Sequence, residues 1–196
     1  MTGDFLLRLL GGMAVNFEIA FIAMFWGLVA GVVLALGRLQ GGVVGVAAAS
    51  VISLMRAAPT FVVMFFLLNV LARDALSGVM MVALSLVPYS AAYVADAGVD
   101  AIRHRRSGST HGALLFLPNV ARAFFVVVMS SGAAAAIGVV EGISVILQQA
   151  DQLPSLRDKL LLFALGIALF GIPLQLGFAL IRHLQRRLGR VAGPGV

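Results

Sequence analysis

The sequence predicts an all-α integral membrane protein, a polytopic bundle of about five spanning helices. Of its 196 residues 61% are hydrophobic and 11% are charged, with a mean hydropathy of +1.07. A soluble domain of this size has too little interior to hide so much apolar surface. The apolar residues form long runs without strict alternation, the pattern of spanning helices rather than of the short alternating strands of an outer-membrane barrel. Arginine gathers beside these runs, where basic flanks set orientation.

Taken in order, the first expected span covers residues 14–36, apolar from Ala14 to Leu36. Gly27 and Gly31 within it have the small-xxx-small spacing that lets helices approach closely. Among 22 glycines such spacing arises easily by chance, so ordinary lipid-facing packing is the simpler expectation. The second run, Thr60 to Ala72, is too short to cross alone. The stretch Val43 to Met55 completes it, giving a span over 43–72 kinked near Pro59, which removes a backbone donor. Further spans are expected at 79–99, 123–140 and 160–181, so that residues 1–196 form a single transmembrane domain.

Orientation follows from the basic flanks, which are retained on the cytoplasmic side. Arg38, the cluster Arg103, Arg105 and Arg106, and the tail Arg182, Arg186, Arg187 and Arg190 fall on one side of a five-span chain. Arg8, Arg73, Arg157 and Lys159 fall opposite, partly balanced by Asp4, Asp74, Asp151 and Asp158. The amino terminus is therefore expected outside and the carboxyl terminus in the cytoplasm. Asp4 rather than a basic patch follows Met1, so the first span is expected to direct its own insertion without a cleavable signal.

The net charge of +6 does not point to nucleic acid, because aromatic residues do not interleave with the arginines. The lack of cysteine excludes disulfides and thiolate metal sites. No zinc-ligand helix, nucleophile elbow or phosphate-binding glycine loop is present. His104, His111 and His183 lie in basic flanks without a carboxylate cluster. No enzymatic activity, cofactor or metal is expected of the chain itself.

Ionisable groups in or beside spans carry more weight, since hydrocarbon burial of a charge costs at least ~2.5 kcal/mol. Glu18 lies about one turn inside the outer end of the first span, near Asn16; it either snorkels outward, as its depth favours, or lines a polar path. Asp96 and Asp100 share one helix face at i, i+4. Simple charge balance, with Asp100 reaching Arg103 or His104, competes there with a pathway or partner contact. Glu141, after the small-residue run GAAAAIGVV, is expected at the outer rim, exposed or touching a partner.

Several segments, in order, resemble the membrane permease subunits of ATP-binding-cassette (ABC) importers, particularly the polar amino-acid uptake branch. LMRAAPTFVVMFF (54–66) is similar to that branch's Arg-Gly-Thr-Pro segment before a Phe-rich span, with Arg56, Pro59, Phe65 and Phe66 matching. ALSLVPYSAAYVADAGVDAI (83–102) resembles its Ala-Tyr-Ile-Ala-Glu stretch, through Ala92, Tyr93, Ala95, Gly98 and Ile102, with Asp96 in place of Glu. AAAIGVVE (134–141) looks like its Ser-Val-Ile-Gly-Val-Val-Glu run, and FALIRHLQRRL (178–188) like its Arg-rich last span.

The resemblance implies a type I ABC importer permease-like fold and an ATPase-coupling loop over 103–118. The family's coupling pattern is Glu-Ala-Ala, three residues, Gly, nine residues, Ile, one residue, Leu-Pro. Leu117 and Pro118 match its end, but its Glu-Ala-Ala falls on Val99, Asp100 and Ala101 and its Gly on Arg105. The loop is thus degenerate and shortened, leaving Arg103, Arg105, Arg106, Leu117 and Pro118 as coupling candidates and Glu18, Asp96, Asp100 and Glu141 as pathway or partner candidates. Ser130 and Ser131 stand where the family carries Lys-Asp; either the fourth span ends differently or GAAAAIGV is drafted into it.

Implied partners are a second permease subunit in a heterodimer, a cytoplasmic ABC ATPase dimer holding ATP and Mg, an external substrate-binding protein and membrane lipid. The implied location is the bacterial inner membrane, and the implied cargo is an amino acid. A permease-like scaffold without coupling, or an unrelated small channel or carrier, is the alternative.

Overall fold

A computed structural model describes residues 3–71, 75–109 and 114–191, with backbone alone at 188–191. Arg73, Asp74 and His111 lie outside these residues, as does the side chain of Arg190. The described residues form helices joined by short turns: α1 (Gly3–Gln40), α2 (Gly42–Ala57), α3 (Thr60–Val70), α4 (Gly78–Arg106), α5 (Phe116–Ser130), a 3-10 segment (Ser131–Ile137), α6 (Gly142–Asp151) and α7 (Leu156–Val191). Four of these units are long and apolar enough to cross a membrane, or five if α2 and α3 count as one broken span.

The apolar runs mark where the helices lie but not where they end. α1 starts at Gly3, ahead of the run beginning at Ala14, because Phe5, Leu9 and Met13 pack against Val145, Ile146 and Leu162. Backbone hydrogen bonding also carries α4 through Arg106 and α7 past Ile181, since charged side chains interrupt hydropathy but not the helix. At Pro59 the break is a 91° bend rather than a kink. Ala58 is extended, as a residue before proline prefers, and Pro59 caps α3.

The fourth spanning unit starts earlier than the apolar run suggests, at Phe116, and ends at Ile137. Of the two possibilities for GAAAAIGV, the drafted one is seen: Ser131–Ile137 continues α5 as 3-10 helix. It stops at Gly138, whose φ of +83° closes the helix in the left-handed region that glycine reaches without strain.

The broadest interface joins α1 to α4. A Cβ on Gly27 would stand 2.3 Å from Ser90 Cβ, and one on Gly31 2.7 Å from the Ala91 carbonyl oxygen. Both glycines are buried, so this pair is an interhelical contact rather than a lipid-facing one. One core centres on Ile19, Ala23, Val82, Leu86 and Val127; a second, of Ala35, Ile52, Ala92, Ala95 and Val99, brings α2 against α1 and α4 at the other end.

Candidate functional site

Along α4, Tyr89, Tyr93, Asp96 and Asp100 recur at steps of four, three and four and form one stripe. This stripe lines a cleft of about 400 Å³, closed by Arg56 of α2 and Asn119 of α5. The two tyrosine rings stack obliquely, 5.9 Å between centroids. Polar side chains and aromatic faces therefore share one concave surface, the composition of small-molecule sites.

Asp96 is the hub of the cleft. Arg38 Nη1 of α1 donates to its Oδ1 at 2.7 Å, and Arg56 Nη2 of α2 donates to its Oδ2. Local charge balance is thus not what the carboxyl group does; it ties three helices. Asp100, one turn on, is exposed. The His104 ring meets the Asp100 backbone carbonyl at 2.8 Å, not the carboxyl group. The expected pairing of Asp100 with Arg103 or His104 is therefore absent among the described residues. Asp100 lines the cleft instead.

A second constellation lies near the opposite end and corrects the expectation for Glu141, which is fully buried rather than rim-exposed. Its Oε2 accepts from Asn16 Nδ2 at 2.8 Å and from the Ile143 N–H at 2.9 Å, while Oε1 accepts from the Ser144 N–H at 2.7 Å. The Glu141 N–H donates to Ser144 Oγ in return, forming a capping box at the start of α6. Asn16 also donates to Ser131 Oγ at 2.9 Å and accepts from the Gly142 N–H at 3.0 Å. The cluster meets a strict requirement, since a buried polar group without a partner costs about 1–3 kcal/mol. Glu141-Gly-Ile-Ser144 carried a local signal for it, an acceptor before a helix with a hydroxyl three residues on; Asn16 carried none.

Glu18 joins neither constellation; it is exposed beside the buried stripe Asn16, Ile19, Ala20 and Ala23. Arg103, Arg105 and Arg106 form the exposed last turn of α4. Leu117 and Pro118 belong to the first turn of α5, where the missing proline N–H has no helical partner to lose. The candidates at the two ends of 103–118 are therefore helical, and the described part of the connection between them, Ser107–Ser109 and Leu114–Leu115, is turn or coil.

Among the described residues no group of His, Asp and Glu is placed to hold a metal ion. No family model and no curated protein matches the sequence. Solved structures do match. A chain from the crystal structure of an amino acid ABC transporter with histidines aligns with a TM-score of 0.69 at 21% identity, over 95% of this chain and 100% of that one. A chain of the MetNI methionine ABC transporter, in inward-facing conformations, aligns with a TM-score of 0.56 at 16% identity, over 97% and 99% of the two chains. From end to end, the fold is that of these ABC transporter chains.

Proposed function

We propose that this chain is a transmembrane permease subunit of an ATP-driven importer of amino acids. The observation that carries the reading is the end-to-end fold match, reinforced by the ordered sequence resemblance and by a polar cleft among otherwise apolar helices. The amino-acid cargo rests on the uptake branch that the sequence resembles and on the cargo named for the aligned transporters. In this reading the chain contains no hydrolytic site; partner ATPase subunits bind ATP and Mg. The chain supplies two packed arrangements whose equilibrium nucleotide binding shifts.

Asp96 suits such a part, because its two arginines come from two other helices, α1 and α2. A relative movement of α1, α2 and α4 exchanges these ion pairs for water or for a charged cargo group. The basic end of α4 is the surface offered to the ATPase. Because the coupling pattern is degenerate, the second permease subunit carries its complete form, in a heterodimer served by an external substrate-binding protein in the bacterial inner membrane.

A scaffold reading is favoured by one observation: the positions of the family's Glu-Ala-Ala and Gly, 99–101 and 105, are internal to continuous α4. Reconstitution in vesicles with candidate partner subunits separates the two. ATP-dependent amino-acid uptake that needs this chain, and is lost without loss of insertion when Arg103, Arg105 and Arg106 are neutralised, supports the permease. Uptake that persists without the chain supports the scaffold.

A further inference from the structure

Between α5, α6 and α7 lies an apolar groove of about 480 Å³. Its α7 wall is Phe163, Gly166, Ile167, Phe170, Gly171 and Leu174, spaced as one helix face. Met129 and Ile146 stand opposite. Asn16 reaches the groove, but its amide is already bonded to Ser131, Glu141 and Gly142, so no unmet polar group awaits a ligand. The groove is open outward: Ile167 is 74% exposed, and nothing lies within 4 Å of a Cβ built on Gly171.

Its dimensions are those of one leaflet. From Phe163 to Leu174 the axial rise is about 16 Å at ~1.5 Å per residue, half of a hydrocarbon core of roughly 30 Å. Its volume corresponds to roughly sixteen groups of water size at about 30 Å³ each, the bulk of a single acyl chain. One turn before Phe163 on the same face stands Lys159, about 6 Å further along the axis. Lysine on a helix leans toward the amino-terminal end and carries its ammonium to headgroup level. Among the described residues Lys159 has no ion-pair partner.

We propose that this groove binds one acyl chain of an anionic phospholipid, with the phosphate held by Lys159. The cation at the head of a leaflet-deep apolar slot favours this occupant over a second protein helix, which needs about 8–10 Å between axes. The proposal rests on α7 spanning the membrane and not on transport, so each can fail without the other.

The test uses the full chain in nanodiscs of phosphatidylglycerol or phosphatidylcholine doped with the same lipid bearing a photoreactive acyl chain, with labelled peptides mapped by mass spectrometry. Labelling should concentrate on residues 163–174 over the exposed Phe61, Val62 and Phe66 of α3. Gly171→Phe should lower it about tenfold, equivalent to displacing two buried methylenes. Gly171→Leu serves should the larger ring unfold the chain. Lys159→Gln should reduce the preference for phosphatidylglycerol about fivefold, as expected for one basic residue at an anionic surface. Even labelling of α3 and α7, labelling unchanged by the Gly171 variants, an unaltered lipid preference in Lys159→Gln, or crosslinks through the groove to a second copy would each overturn it.

Discussion

Asp96 and Glu141 are both carboxyl residues at helix contacts, yet their surroundings set different consequences for removing them. Asp96 remains about 31% exposed, with Arg38 at 32% and Arg56 at 58%, so both pairs are open to screening by whatever water fills the cleft, and exposed pairs contribute only about 0–1 kcal/mol each. Arg56→Ala should accordingly change stability by less than about 0.5 kcal/mol, and Asp96→Ala by about 1 kcal/mol because it frees two cations together. Thermal melts in detergent check this; a loss several times larger would mean that the clamp holds the bundle rather than tuning it. Glu141 has no such screening. Glu141→Ala leaves one hydrogen of the Asn16 amide and the Ile143 and Ser144 N–H groups without their acceptor; the first lies in a buried bond and the last two in part-buried bonds at a helix start. The expected cost is about 2–4 kcal/mol from one lost cap and one orphaned buried donor. Glu141→Asp should retain more than half of that stability, since aspartate is itself a good cap.

Between helices, the same residue type has opposite effects according to what faces it. Gly27 sits where a Cβ meets Ser90 Cβ at 2.3 Å, while a Cβ on Gly11, in the same helix, meets nothing within 4 Å. Gly27→Ala should therefore cost about 1–3 kcal/mol through forced separation of α1 and α4. Gly11→Ala should instead add about 0.5–1 kcal/mol by removing the entropic cost of glycine in a helix. Equal effects at the two sites, read from unfolding in the same detergent, would contradict the packing. This contrast also locates what the sequence could and could not tell. Composition and run length made the fold class legible, because membrane helices satisfy their backbones internally and announce themselves by hydropathy. Which glycines pack, and which carboxyl group is buried, depends on partners far along the chain: Arg38 and Asp96 are 58 positions apart, and Asn16 and Glu141 are 125 apart. No local period encodes such distances. Glu141 looked exposed because it follows an apolar run at a span's end, the place where acidic residues ordinarily meet water; its capping box instead turns it inward.

Across the whole molecule, the arrangement of charge leads to a test of orientation. Arg38 and Arg56 meet at Asp96 in the carboxyl-terminal half of α4, whose last turn carries Arg103, Arg105 and Arg106. Gln185 donates to the Leu114 carbonyl at 3.4 Å, bringing the end of α7, with Arg182, Arg186 and Arg187, beside the start of α5. At the opposite end, Arg8 donates to Gln148 of α6, close to the exposed turn at Gln152. One pole of the bundle is thus strongly basic and the other nearly balanced, and translocation disfavours carrying the basic pole across. The chain has no cysteine, so a single introduced thiol reports its own side without background. Ser107 and Gln152 are both exposed turn residues on opposite poles, and changing them should leave the core untouched. In intact cells a membrane-impermeant maleimide should label Gln152→Cys and spare Ser107→Cys, and permeabilisation should open Ser107→Cys to it. The reverse pattern would put the arginine-rich pole outside, where no cytoplasmic ATPase could reach the end of α4, and would refute the importer reading even though the fold itself stood unchanged.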